Sequence, residues 1–90
     1  MAKAAALAPE IADFDPMVYD IMRETATELR GEYVWLSRHA GTAAEREAAT
    51  TAHVALWEDV NSVRGSDLPT IQAKTAEYRS SLNQLRDMAG

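Results

Sequence analysis

Small and apolar side chains recur at alternating steps of three and four residues near the end of this chain. The positions are Leu68, Ile71, Thr75, Tyr78, Leu82, Leu85 and Ala89. Because such steps average about 3.5 residues, the positions fall on one narrow stripe of an α-helix. The pattern predicts a helix over residues 67–88 that packs lengthwise against other helices.

A second stripe lies earlier, over residues 16–39. Its members are Val18, Ile21, Met22, Thr25, Ala26, Leu29, Tyr33 and Leu36. Pro16 is tolerated at the first position of a helix, and Gly41 predicts a helix end in the left-handed conformation. Gly31 lies inside this helix at a cost of about 1 kcal/mol relative to Ala, so it marks either a bend or a close approach of another backbone. We expect one continuous helix.

A third helix is predicted between these two, over residues 43–64. Thr42 and Glu45 have the spacing of a capping box, in which each residue satisfies an exposed backbone donor of the other. Gly65 is expected to end the helix. The inward positions are Ala49, Ala52, His53, Leu56, Val60 and Val63, with Trp57 at the edge of the stripe.

The two connections between the helices are only a few residues long, which forces neighbouring helices to run antiparallel. Ser66 or Asp67 is expected to cap the last helix. The prediction is an all-α fold, an antiparallel up-down-up three-helix bundle that forms a single domain over residues 14–90. Residues 1–13 are expected to form a flexible arm. The alternative is a helical hairpin that completes its core by dimerisation.

Composition supports a folded chain, because 47% of the 90 residues are hydrophobic and 26% are charged. The absence of cysteine excludes disulfides, Cys-based zinc sites and a thiol nucleophile, and it fits a reducing compartment. We find no signal peptide and no apolar run long enough to span a bilayer, so we expect a cytoplasmic protein without membrane contact.

The formal net charge of −5 disfavours binding to nucleic acid, which relies on Lys and Arg to displace counterions. Gln72, Arg79 and Arg86 do recur at seven-residue intervals along the last helix, as a row that reads nucleic acid would. Ion pairs with glutamates of the first helix explain the two arginines more simply. We therefore expect no nucleic acid partner.

Sequence motifs for catalysis or cofactor binding are absent. The chain has no Glu-x-x-His, His-Glu-x-x-His, Gly-x-x-x-x-Gly-Lys or Gly-x-Gly-x-x-Gly segment. We predict that it is not an enzyme and that it holds neither metal nor cofactor. His53 is expected to be largely buried, with a hydrogen bond through one ring nitrogen to a neighbour such as Thr25 or Tyr78. Its alternative roles are a pH-responsive group or a ligand contact.

One flank of the first helix carries an aromatic residue beside a row of acids. Met17, Glu24, Glu28 and Trp35 share this flank, which we call the docking face. In one interpretation Trp35 packs on the third helix and the glutamates are only solvated. In the other, the face binds a partner, because Trp residues surrounded by charge are typical binding hot spots.

Two functions follow as hypotheses. The first is a small, acidic, non-enzymatic protein-binding module of the antitoxin, inhibitor or adaptor type, which acts through a helical face on another protein with a basic surface. The second is a structural subunit that self-assembles into a homo-oligomer through its helical stripes, because a small core gains from a second copy.

Overall fold

The computed structural model describes residues 16–89, which form three α-helices and no β-strand. They are α1 (Pro16–Arg38), α2 (Ala43–Ser62) and α3 (Leu68–Ala89). The helix limits lie within two residues of the predicted ones. The predicted arm over residues 1–13 lies outside the described residues.

Contacts between the helices fix their directions. On one side of α1, Arg23 lies over the ring of Trp57 while Arg30 donates to His53, so α2 runs antiparallel to α1. On the other side, Thr25 accepts from Arg79 of α3. The ion pairs that Arg86 makes further along α1 show that α3 runs parallel to α1. The predicted all-α, up-down-up three-helix bundle is therefore confirmed.

The core is centred on one fully buried side chain from each helix: Met22, Val60 and Ile71. Fully burying a side chain of this size contributes about 1.5–3 kcal/mol relative to leaving it exposed. The other buried members of the same cluster are Ala26, Leu29, Leu56, Val63, Tyr78 and Leu82. The inward stripes of all three predicted helices thus meet in a single core.

The starts of α2 and α3 follow their predicted caps. The Thr42 hydroxyl accepts from the Glu45 backbone N–H at 3.1 Å. The Glu45 carboxylate accepts from that hydroxyl at 3.0 Å, rather than from the Thr42 backbone N–H as a full capping box requires. Before α3, Asp67 is the cap, and its carboxylate accepts from the Thr70 backbone N–H at 3.3 Å.

The glycines that were predicted to end α1 and α2 do not end these helices. No glycine of the described chain has positive φ, so Gly41 does not end α1 in the left-handed conformation. Instead, the helix stops at Arg38, and His39 caps it. Gly65 does not end α2 either. That helix ends at Ser62, because Val63 turns to extended backbone, with φ −81° and ψ 130°, and buries its side chain in the core.

Two apolar positions on α1 are more exposed than predicted, and the structure also shows how the helix accommodates Gly31. Ile21 and Leu36, predicted to face inward, are 40% and 36% exposed, because the buried stripe is narrower than the apolar pattern. α1 continues through Gly31 without a break, as expected. A Cβ added at Gly31 would meet no atom within 4 Å, so the glycine does not serve a close backbone approach.

Candidate functional site

The four residues of the docking face all lie on α1, which is one continuous helix between them. Glu24 and Glu28 are one turn apart. Met17 lies two turns before Glu24, and Trp35 lies two turns after Glu28, so the face extends about 27 Å along the helix at 1.5 Å per residue. All four side chains are exposed. The structure therefore places them on one surface, with Met17 and Trp35 at its two ends.

Trp35 is 52% exposed and stacks on a residue of its own helix. Its ring lies 4.1 Å from that of His39, with 18° between the ring planes. His39 Nδ1 is 2.9 Å from the Trp35 carbonyl oxygen. Because a carbonyl only accepts, Nδ1 must carry the proton. The imidazole thus caps α1 and supports the indole, and the interpretation that buries Trp35 against α3 does not describe this arrangement.

The acidic part of the docking face is partly engaged within the bundle. Glu28 Oε2 lies 3.7 Å from Arg86 Nη2, and Glu32 Oε2 lies 4.0 Å from Arg86 Nε. The expected pairing with α1 glutamates is thus present for Arg86, whereas Arg79 donates to the Thr25 hydroxyl instead. Exposed ion pairs of this length contribute between about 0 and 1 kcal/mol, so they leave the carboxylates accessible to a competing cation.

A polar network that the sequence did not indicate joins α2 to α3. The Tyr78 hydroxyl donates to Asp59 Oδ2 at 2.6 Å, and Lys74 Nζ lies 3.0 Å from the same oxygen. Lys74 also pairs with Glu77 at 3.1 Å. Asp59 lies on α2, whereas Lys74 and Tyr78 lie one turn apart on α3, so no spacing along the chain signals the network.

Electrostatics within this network shift three pKa values. Burial acts to raise the pKa of Asp59, but the hydrogen bonds from Tyr78 and Lys74 and the charge of Lys74 outweigh it, so the pKa lies below its ordinary value. The hydrogen bond to Asp59, followed by that to Glu77, raises the pKa of Lys74. Burial, followed by the bond to Asp59, raises the pKa of Tyr78. The network is therefore charged at Asp59 and Lys74 at neutral pH.

His53 is half-buried rather than largely buried, and one of its ring nitrogens does bond a neighbour, but that neighbour is Arg30 rather than Thr25 or Tyr78. Its Nε2 accepts from Arg30 Nε at 2.8 Å, because the side of α2 that carries His53 faces α1. The guanidinium of Arg30 also lies 5.4 Å from the Trp57 ring centroid, and that of Arg23 lies 5.5 Å from it. These cation–π contacts hold α2 against α1. Sequence reasoning missed the cluster because it forms between helices.

Neither a metal cluster nor a membrane-spanning helix is found among the described residues. Within residues 16–89, no three His, Asp or Glu side chains converge to hold a metal ion. None of the three helices combines the length and apolar character needed to cross a bilayer. A scan against protein-family models, a search of curated proteins and a search of solved structures each gave no match. Function must therefore be inferred from the surface of the bundle.

Proposed function

We propose that this chain is a small, acidic, non-enzymatic protein-binding module of the antitoxin, inhibitor or adaptor type. It acts through the docking face of α1, formed by Met17, Glu24, Glu28 and Trp35. The observation that supports the proposal is the exposed indole of Trp35, supported from behind by His39 at the end of a helix that carries carboxylates.

Trp35 has the properties of an anchor residue. An aromatic side chain buries about 150–250 Å² when it is fully covered. Since 52% of Trp35 is exposed, a partner could cover about 100 Å² more, which contributes about 2.5 kcal/mol at 25 cal/mol per Å². The stack on His39 also limits the orientations of the indole, so less conformational entropy is lost on binding.

The charges around Trp35 favour a basic partner. Glu24 and Glu28 lie on the same face, and Glu32 borders it. Arg86 is the basic side chain of α3 that approaches these carboxylates, and it does so at 3.7 Å or more. Lys or Arg residues of a partner would compete with it, and the net charge of −5 would accelerate their encounter.

The experiment compares two tryptophan substitutions. A partner is first isolated with the wild-type chain as bait, and its affinity is then measured by calorimetry. We expect Trp35→Ala to weaken binding by at least about 2 kcal/mol, or roughly 30-fold, as for an aromatic hot spot. The helical circular dichroism signal and melting temperature should stay close to those of wild type, because Trp35 contributes little to the core.

Trp57→Ala is the matched control. Trp57 is 39% exposed but lies on the side of the bundle where α1 meets α2. This substitution should leave partner affinity within about twofold of wild type, even if it lowers stability. Equal losses of affinity for the two variants, or an unchanged affinity for Trp35→Ala, would assign binding to another surface.

A self-assembling structural subunit is the second candidate. It would have to use surfaces other than the α3 stripe, because Ile71, Tyr78 and Leu82 are already buried within one chain. Sedimentation velocity at micromolar concentration separates the two candidates. A dimer or larger species supports self-assembly, whereas a monomer removes it.

A further inference from the structure

The bundle is unevenly packed. α1 makes extensive contact with both α2 and α3, but α2 and α3 approach each other at few points. Their closest polar link is at Asp59, which meets Lys74 and Tyr78. Toward the other end of α2, Ala52 and Ala55 line the space between α2 and α3. Side chains this small cannot fill the space between two helices, so a groove remains there.

Two adjoining cavities make up this groove. The first, of about 450 Å³, has Leu29 and Tyr33 of α1 as its floor and is bordered by α2 and α3. The second, of about 350 Å³, continues from it toward His39 and the start of α2, where it is lined by α1, α2 and the connection between them. Tyr33 and Ala52 line both cavities, which makes the groove continuous. It is therefore an open surface groove along the bundle, in which apolar side chains lie beside charged ones such as Asp59, Lys74 and Glu77.

The dimensions of the groove match a helix. Between Glu45 and Asp59, which line its two ends, α2 advances by fourteen residues, or about 21 Å at 1.5 Å per residue. An amphipathic helix of about the same number of residues would lie along it and place bulky side chains opposite the alanines. This is the helix-in-groove mode of recognition, in which apolar residues recur every three or four positions.

The charged residues that border the groove favour a partner helix that is basic. Three carboxylates border the groove, those of Glu45, Asp59 and Glu77, against the single ammonium of Lys74. Lys74 is already paired with both Asp59 and Glu77. The border is thus net negative, and a partner helix with Lys or Arg on its flanks would complement it. A second copy of this chain carries a net charge of −5 and fits poorly.

We propose that the groove along α2, which lies between α2 and α3 at one end and between α1 and α2 at the other, binds an amphipathic helix of another protein, with bulky apolar residues facing the groove and basic residues on its flanks. The proposal rests on the proposed function as a protein-binding module and names its partner. His39 lines the end of the groove and stacks on Trp35. A helix that fills the groove therefore ends beside the aromatic anchor, and one partner contacts both.

A designed peptide tests the groove directly. The probe is a fluorescein-labelled 16-residue peptide with Leu at alternating steps of three and four, Lys on both flanks and Ala elsewhere. A second peptide has Glu in place of every Lys. Fluorescence anisotropy with the full chain should show at least tenfold tighter binding of the Lys peptide, because its flanks face the carboxylates of the groove.

Substitutions in the groove then locate the bound peptide. In Ala52→Phe the new ring occupies the centre of the groove, so the affinity for the Lys peptide should fall at least tenfold. Ala55→Arg, at an exposed position on the border, should weaken the Lys peptide and strengthen the Glu peptide, which gives a second result if the first variant folds poorly. Ala76 is exposed on α3 and lines neither cavity, so Ala76→Phe and Ala76→Arg are the matched controls and should change affinity less than twofold.

Three outcomes would overturn the proposal. Equal binding of the two peptides would show that the groove does not select basic flanks. Binding that is unchanged in both folded groove variants would place the peptide elsewhere. A wild-type dimer in sedimentation that Ala52→Phe dissociates would assign the groove to a second copy. If the groove variants have no effect while Trp35→Ala still weakens binding of the isolated partner, the docking face binds that partner without the groove.

Discussion

At the scale of single residues, the Asp59 carboxylate joins α2 to α3 through two polar contacts. It accepts from Tyr78 at 2.6 Å and pairs with Lys74 at 3.0 Å, and both bonds favour its charged form. Since the pKa of Asp59 is lower in the folded chain, the stability that it contributes is present above its unfolded pKa of about 3.9. That contribution is lost as pH falls through the folded value.

Tyr78→Phe tests this network. Removal of the hydroxyl should destabilise the fold by about 1 kcal/mol at neutral pH, the usual net value of a hydrogen bond. It should also raise the pKa of Asp59, and the stability difference from wild type should shrink as Asp59 becomes protonated. The checks are thermal melts across the acid range and an NMR titration of the Asp59 carboxyl carbon.

Tyr33→Phe is the control, because the Tyr33 hydroxyl makes no hydrogen bond within the described residues. It should leave both the pKa of Asp59 and the dependence of stability on acid pH unchanged. An Asp59 pKa that Tyr78→Phe does not move would show that Lys74 alone holds the carboxylate in its charged form.

A helical wheel predicts which side chains of a helix are buried, but it does not predict which side chains they contact. The burial of Leu56 and Leu82, at 6% and 3% exposure, followed from the periodicity. The partner of His53 did not, because the stripe fixes only how far round the helix a residue lies. Which side chain it meets depends on the rotation and height of the facing helix, and these are set by the packing of the whole core.

At the scale of elements, helix starts and helix ends differed in how well the sequence predicted them. The starts at Thr42 and Asp67 depend on bonds between residues three apart, so the signal is contained in the local sequence. The ends were set by other forces. α1 ends where the His39 ring bonds the Trp35 carbonyl, and α2 ends where Val63 enters the core. Neither helix ends at the glycine, Gly41 or Gly65, that the sequence had suggested.

Gly31→Ala is the prediction that belongs to α1. The helix passes through Gly31 without positive φ, and an added Cβ meets nothing within 4 Å. Alanine should therefore stabilise the chain by about 0.5–1 kcal/mol, because it restricts the unfolded state and favours the helix. Denaturant titration followed by circular dichroism measures the change.

Gly41→Ala is the matched control. Gly41 lies outside the helices, and a Cβ there would meet Glu45 Oε1 at 3.6 Å, an ordinary contact. The substitution gains no helix propensity, so its effect should be smaller than that of Gly31→Ala. If Gly31→Ala were instead destabilising, α1 would have to bend or lie against another backbone at this point.

At the scale of the whole molecule, one core holds three helices, yet only α1 contacts both of its neighbours extensively. The three stripes predicted that a shared core would form. They could not predict that α2 and α3 would stay apart, because the distance between two helices depends on the summed volume of the side chains between them. The alanines of α2 were visible in the sequence, but the groove beside them required the positions of all three helices.

Leu56→Ala on α2 and Leu82→Ala on α3 test whether this core acts as one unit. Each substitution opens a cavity in the same cluster, so each should destabilise by about 2–5 kcal/mol, a large fraction of the stability of so small a domain. Val54→Ala, at a position that is 49% exposed, is the control and should cost far less.

Because the core is shared, each core variant should shift the entire circular dichroism melt, with no residual helical plateau. A variant that melts in two steps would show that α2 or α3 unfolds separately, and a shift no larger than that of Val54→Ala would place the core elsewhere.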